Sequence, residues 1–151
     1  MVIEPDDLTR PQVHALLAEH LAQMHSLSPA CSVHALDIAR LRAPGITVWT
    51  AWEGDELLGC GALKTLTPGH GEIKSMRTAP RHRGRGIGRT MLNHLLAVAR
   101  ERGYERLSLE TGATEHFLPA LRLYASAGFQ RCGPFGSYGE DPHSVFMTRK
   151  L

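Results

Sequence analysis

The stretch RHRGRGIGRT, residues 81–90, combines four arginines with three glycines and runs directly into the apolar-periodic segment MLNHLLAVARERG. Glycine disfavours a helix and neighbouring arginines repel one another, so this is an unusual way to begin one. The first N–H groups of a helix have no partner inside it, and that end carries partial positive charge. Glycines let an anion approach the backbone closely, and arginines add full charges with forked donors. A strand, this turn and a helix together therefore predict a phosphate cradle.

Outward from the cradle, hydrophobic periodicity predicts a mixed α/β domain, and we expect one domain over residues 1–151. The predicted helices are 10–25, 33–41, 86–102 and 115–127, and the predicted strands are 2–4, 46–53, 57–66, 72–79, 106–111, 129–132 and 144–149. The strand–helix–strand passage from 72 to 111 predicts one parallel pair within a mixed sheet.

The composition is that of an ordinary globular domain, with 42% apolar and 21% charged residues. A net charge of +2 is too small to indicate a nucleic-acid or membrane partner, and no apolar run is long enough to cross a bilayer. The three cysteines form no CxxC pair, and the first residues do not resemble a secretory signal, so we expect a cytoplasmic protein with reduced thiols. The nine histidines show no metal-binding spacing, and no metal is expected.

The identity of the polyphosphate depends on glycine spacing. A P-loop needs a GK pair, which is absent, and the three glycines of the turn do not fit GxGxxG. Arg83, Gly86 and Gly88 do fit the pattern [QR]xxGxG, and the turn thereby resembles the acyl-CoA pyrophosphate motif of the GNAT N-acetyltransferase superfamily. The resemblance extends over about residues 72–129, through EIKSMRTAPRHRGRGIGRTMLNHLLAVARERGYERLSLET and the later segment ALRLYASAGF.

The resemblance implies a GNAT fold: a central mixed, mostly antiparallel sheet of six to seven strands flanked by about four helices. A splayed parallel strand pair would form the acyl-CoA cleft. In that family the turn holds the pyrophosphate and the preceding strand pairs with the pantetheine amides. The cofactor-binding residues so implied are Met76, Arg77, Thr78, Arg83, Gly84, Arg85, Gly86, Ile87, Gly88 and Arg89.

Two catalytic residues are also implied. Tyr124 falls at the family's usual general acid, and Glu72 at a strand position where some members carry a carboxylate base. By strand alternation Glu72, Lys74 and Met76 share one face, so Lys74 could pair with Glu72 and weaken it as a base. Substrate orientation and a water relay are alternatives for Glu72. The family's polar residue seven positions before the tyrosine is Phe117 here, and no polar contact is inferred from it.

The implied activity is transfer of an acetyl group from acetyl-CoA to a primary amine of a small molecule, by direct attack in a ternary complex. A non-catalytic acyl-CoA-binding or sensing module, and an acetyltransferase for protein N-termini or lysines, remain open alternatives. We expect no nucleic-acid or membrane partner, and a homodimer is left open. Met24, His25, Glu140 and Asp141 are further candidates for the acceptor side, beside plain structural roles.

Overall fold

The computed structural model describes residues 1–151 as a mixed α+β fold of seven strands and four α-helices, which confirms the predicted fold class. The helices are α1 (Pro11–Leu27), α2 (Ile38–Leu41), α3 (Ile87–Glu101) and α4 (Leu118–Ser126). The strands are β1 (Val2–Pro5), β2 (Ile46–Glu53), β3 (Glu56–Thr67), β4 (His70–Thr78), β5 (Arg106–Gly112), β6 (Gln130–Cys132) and β7 (Ser144–Lys150). Short 3₁₀ turns occupy Ala30–Ser32, Pro80–His82 and Glu115–Phe117.

All seven strands form one sheet in the order β1-β2-β3-β4-β5-β7-β6. Every neighbouring pair is antiparallel except β4 and β5, which α3 connects, so the predicted parallel pair is present. A parallel pair needs a crossover on one face of the sheet, and α3 provides it. The cradle turn therefore lies between the end of β4 and the start of α3, at one edge of this crossover.

Two apolar cores cover the two faces of the sheet. Alternation along β2 separates them, because Trp49 and Ala51 belong to the larger core with α3 and α4 while Val48 and Trp52 belong to the smaller core with α1 and α2. The helix α3 contributes an apolar stripe to the larger core, in which Ile87, Met91, Leu92, Leu95, Leu96 and Ala99 are all buried. The site between β4 and β5 thus lies in a sheet that is packed on both sides.

The second predicted helix is much shorter than expected. Instead of 33–41, only Ile38–Leu41 is helical, and residues 33–37 have no regular structure. The Asp37 carboxylate accepts a hydrogen bond from the backbone N–H of Arg40 at 2.9 Å, which caps the helix at its N-terminus. An N-cap aspartate begins a helix, so the residues before it stay extended and are available to line a site.

A bulge in β4 changes the direction of its side chains. Gly61 of β3 lies opposite both Ser75 and Met76, and Ser75 has φ 50, a conformation that only glycine adopts easily. The expectation that Glu72 and Met76 share a face is therefore wrong. Met76 packs against the α3 core, whereas Arg77 turns to α1 on the opposite face.

Candidate active site

The parallel pairing of β4 with β5 stops part-way along both strands. It runs from His70–Arg106 to Ile73–Leu109 and no further, although β4 continues to Thr78. A cleft of about 600 Å³ opens where the pairing ends, and residues of α1, α3, α4, β4 and β5 line it. Because β3 pairs only the other edge of β4, the backbone of β4 beyond Ile73 has no strand beside it on the cleft side.

The cradle turn lies at one end of this cleft. Gly84 and Gly86 both have φ 79, and α3 begins at Ile87 without any side-chain cap. None of the backbone N–H groups of residues 84–89 donates a hydrogen bond within the chain. A run of unpartnered N–H groups at a helix start, on a backbone bent by left-handed glycines, is suited to an anion.

The arginines of the turn divide into two groups. Arg83 and Arg89 line the cleft, and Arg83 makes no ion pair or side-chain hydrogen bond, while Arg89 donates one to Ser126 at 3.0 Å. The Arg85 side chain instead donates to Glu53 at 3.1 Å and does not line the cleft. The structure thus brings the predicted residues Arg83 and Arg89 to the cleft, but not Arg85.

The predicted strand segment Met76, Arg77 and Thr78 lines the cleft directly below the turn. The Arg77 guanidinium is buried and donates to Glu19 at 2.6 Å and to Gln23 at 2.5 Å, both on α1. Its side chain therefore fastens α1 to β4 and is not free to bind a ligand.

Tyr124 of α4 lies in the cleft wall and is only 7% exposed. Its hydroxyl has one polar contact, to the sulfur of Met76 at 3.7 Å. Burial raises the pKa of Tyr124 well above its ordinary value, so the phenol keeps its proton throughout the neutral range. Phe117 is also buried in this wall, and its ring packs on Gly112 so closely that a Cβ there would lie 2.0 Å from it.

Glu72 belongs to a buried polar cluster on the opposite face of the sheet. It is 2% exposed, and its Oε2 accepts hydrogen bonds from the Tyr138 hydroxyl at 2.5 Å and from Lys74 Nζ at 3.3 Å. Lys74 Nζ also donates to the Tyr138 oxygen at 3.0 Å. His34, from the segment before α2, meets the Tyr138 ring edge-on with 4.7 Å between ring centroids.

Glu110 is a second carboxylate of the cleft, and the sequence patterns above do not predict it. It is the first residue of β5 beyond the last parallel pair, and alternation places it on the Glu72 face. Burial raises the pKa of Glu110 to about 7, and the positive charge of Lys74 offsets part of the rise. The signal that could have identified Glu110 is its place on β5, the strand predicted to lie parallel to the β4 residues that the resemblance implies.

The cleft also receives residues from α1. Met24 lines the cleft as expected, while His25, Glu140 and Asp141 do not. His20 lines it as well, and its Nδ1 is buried without a hydrogen-bond partner. Burial, with a smaller effect of the Arg77 charge, lowers the pKa of His20 to about 4, so the ring is neutral near pH 7.

No group of three or more histidine, cysteine, aspartate or glutamate side chains is arranged to hold a metal ion. None of the helices has the length and apolar character needed to cross a membrane. All three cysteines are unpaired.

The fold and the interrupted strand pair define the class of the protein, and comparison with known sequences identifies the family. A sequence model of the acetyltransferase (GNAT) family matches residues 13–129, and the chain belongs to that family. The uncharacterized N-acetyltransferase YsnE of Bacillus subtilis (strain 168) is 58% identical over 151 residues, which cover 100% of both chains. The IAA acetyltransferase of Azospirillum brasilense is 39% identical, over 90% of this chain and 88% of its own length. The protein is thus an N-acetyltransferase by family.

Solved structures agree with this assignment. A crystal structure from Klebsiella pneumoniae, assigned to the acyl-CoA N-acyltransferases, has a TM-score of 0.83 and 32% identity, over 99% of this chain and 97% of its own. More distant structures of the same fold, at 18–21% identity, include complexes with CoA or acetyl-CoA. At this level of identity, these structures show the fold alone.

Proposed function

We propose that the protein transfers an acetyl group from acetyl-CoA to a primary amine of a small molecule, by direct attack within a ternary complex. The break in the β4–β5 pairing after Ile73 carries the proposal. It creates a cleft that has an anion cradle at one end and ionisable side chains at the other. Proteins of the same fold have been solved in complex with CoA or acetyl-CoA, which supports acetyl-CoA as the acetyl donor.

The coenzyme end of the cleft offers two kinds of contact. The unpartnered N–H groups of residues 84–89 would bind the pyrophosphate, with Arg83 and Arg89 adding charge. The bare edge of β4 over Met76, Arg77 and Thr78 would pair with the pantetheine amides as an added strand does. Both contacts use the backbone, so they depend on the shape of the chain more than on particular side chains.

Tyr124 is proposed as the proton donor. When the amine nitrogen attacks the thioester carbon, the C–S bond must break, and the departing thiolate has a pKa of about 8.5 by analogy with cysteine. A protonated phenol beside the sulfur can supply the proton as the tetrahedral intermediate collapses. Tyr124 is suited to this because its hydroxyl is held in the cleft wall with only a weak sulfur contact to give up.

The attacking amine must lose a proton. The contacts favour Glu110 over Glu72 as the group that takes this proton. Glu72 was predicted as the base, but its Oε2 already accepts hydrogen bonds from Tyr138 and Lys74. Glu110 makes no such ion pair, and a pKa of about 7 suits a group that must both take and release a proton near neutral pH. We therefore propose Glu110 as the base and Glu72 as a positioning residue for Lys74 and Tyr138.

The enclosed shape of the acceptor side supports a small molecule as acceptor. The segment before α2 and the loop between β6 and β7 meet over the cleft through His34 and Tyr138. The volume of the whole cleft, coenzyme path included, is about 600 Å³, which lies within the range of small-molecule sites. A protein terminus or lysine would need an open groove at this point.

Thiol release from acetyl-CoA, measured across a panel of amines, tests the proposal. We expect at least one small amine to stimulate release, with initial-rate plots that intersect, as a ternary complex requires. Parallel plots would instead indicate a covalent acyl-enzyme. Tight CoA binding by calorimetry without turnover of any amine would favour a sensing module.

A further inference from the structure

A second, smaller cavity adjoins the acceptor side of the cleft. Its volume is about 210 Å³, and it lies between the segment around α2, strand β3 and the loop that joins β6 to β7. The cleft and this cavity share six lining residues, Val33, His34, Ala35, Glu72, Lys74 and Tyr138. The cavity therefore adjoins the cleft along the polar cluster of Glu72, Lys74 and Tyr138 and along the segment before α2.

The charges that line this cavity do not balance. Arg40, Lys64 and Lys74 contribute three cations, and Glu72 contributes the one carboxylate. Lys74 is already paired with Glu72 at 3.3 Å. The side chains of Arg40 and Lys64 make no ion pair or hydrogen bond anywhere in the chain, although Asp37 binds the backbone N–H of Arg40. Two unpaired cations thus line a small recess beside the reaction cleft.

We propose that this cavity binds a carboxylate of the acceptor, so that the acceptor is an amino acid or a similar compound carrying both an amine and a carboxylate. This rests on the proposed function, because it supposes that an amine enters the adjoining cleft. The amine would lie near Glu110, which lines only the cleft, and the carboxylate near Arg40 and Lys64, which line only the cavity. Leu36 and Leu66 supply an apolar wall for a short carbon chain.

The expected contribution of each cation follows from charge-assisted hydrogen bonding. A carboxylate bound by a lysine or an arginine in a partly enclosed site gains more than a neutral pair does. Removing one of the two cations should weaken binding of the carboxylate by about 10-fold. Because Arg40 is exposed and Lys64 is half-buried, neither substitution should disturb the fold.

The test compares carboxylates with their uncharged amides. Calorimetry on the full chain, saturated with CoA, would measure binding of N-acetylated α-, β- and γ-amino acids and of the corresponding primary amides. The variants are Arg40→Gln and Lys64→Gln. The matched controls are Arg131→Gln and Lys150→Gln, which change exposed cations that line neither cavity and have no ion-pair partner.

We expect at least one carboxylate to bind 10-fold or more tightly than its amide, with the preference reduced in both variants and retained in both controls. Equal affinities throughout the panel, no binding at millimolar concentration, or a preference that survives in Arg40→Gln and Lys64→Gln would overturn the proposal. A thiol-release assay distinguishes failure of the carboxylate subsite from failure of the proposed activity. Turnover of uncharged amines without carboxylate preference would remove only the subsite, whereas carboxylate binding without any turnover would remove only the proposed activity.

Discussion

Tyr138 and Glu72 lie 66 residues apart in the sequence, yet the tyrosine hydroxyl donates a 2.5 Å hydrogen bond to Oε2 of the glutamate. Burial and the negative charge of Glu72 raise the pKa of Tyr138, so its hydroxyl remains a donor at any working pH. Lys74 binds both partners. The loop between β6 and β7 is thereby fixed to the central strand β4 beside the cleft.

Replacing Tyr138 by phenylalanine should loosen that closure. A hydrogen bond to a charged acceptor contributes about 1.5–3 kcal/mol, so Tyr138→Phe should lower the melting temperature and raise KM for the acceptor. CoA affinity should not change, because the cradle is at the other end of the cleft. Tyr104→Phe is the control, since its hydroxyl pairs with Thr65 outside the cleft. Equal KM values in wild type and Tyr138→Phe would show that the loop plays no part in acceptor binding.

A methyl group at Gly88 should obstruct the coenzyme without harming the fold. An added Cβ would lie 3.4 Å from Leu123 and 3.6 Å from Thr78, ordinary contact distances in the cleft wall. In a helix, Gly→Ala generally stabilises by about 0.4–1 kcal/mol. Gly88→Ala should therefore melt no lower than wild type, yet bind CoA about 10-fold more weakly by calorimetry. Gly133→Ala, where a Cβ meets nothing within 4 Å, is the control. Unchanged CoA affinity in Gly88→Ala would mean that the coenzyme does not bind against this turn.

The Tyr124 hydroxyl should matter for turnover and not for binding. Its only polar contact is a 3.7 Å approach to sulfur, so Tyr124→Phe should change the melting temperature little. If proton donation limits the rate, kcat should fall about 10²-fold or more while CoA affinity is kept. With an acetyl thioester whose thiol is more acidic, the variant should lose less activity, because that thiolate can leave without a proton donor. Full turnover by Tyr124→Phe would assign the protonation to water or to another group.

How far the sequence predicts the site depends on whether a role has a local pattern. The cradle was predictable because glycine spacing and the following helix occupy consecutive residues from Arg83 to Arg89. Tyr138 was not, because it lies in a loop without periodicity, and only the tertiary fold brings it to Glu72. Its role depends on a contact, and no spacing in the chain encodes it.

The bulge in β4 shows the same limit within a regular element. Strict alternation predicts that Met76 follows Glu72 and Lys74 on one face, and the irregular step at Ser75 reverses this. Ser75 is neither glycine nor proline, so composition gave no sign of a left-handed residue. Element order and type were predictable from periodicity, whereas the side-chain directions that shape the cleft were not.

Glu110 should also leave a signature in stability. Burial raises the pKa of Glu110 to about 7 from its ordinary 4.5, so the folded state holds the proton more tightly than the unfolded state. Its stabilising contribution is complete below about pH 4.5 and is lost as the pH rises through 7. The free energy of unfolding of Glu110→Gln should therefore rise relative to that of wild type as the pH increases from 5 to 8. Urea denaturation across this pH range would measure the difference. Glu101→Gln, an exposed change, should show no such trend. A constant difference would mean that Glu110 titrates normally.

The two carboxylates of the cleft should separate in their pH–rate profiles. If Glu110 takes the acceptor's proton, wild-type kcat/KM should rise through pH 7 as the carboxylate ionises. Glu110→Gln should abolish that rise and lower kcat/KM about 10²-fold or more at neutral pH, with recovery at higher pH where more of the amine is already deprotonated.

Glu72→Gln should behave differently, because Glu72 is held by Tyr138 and Lys74 and is proposed only to position them. Its profile should keep the rise near pH 7 and lie below wild type by a constant factor, mainly through KM. Steady-state kinetics from pH 5.5 to 9.5 with one amine would measure both variants. If Glu72→Gln instead lost the rise and Glu110→Gln kept it, Glu72 would be the base, as its strand position first indicated, and the Tyr138 contact would have to open during turnover.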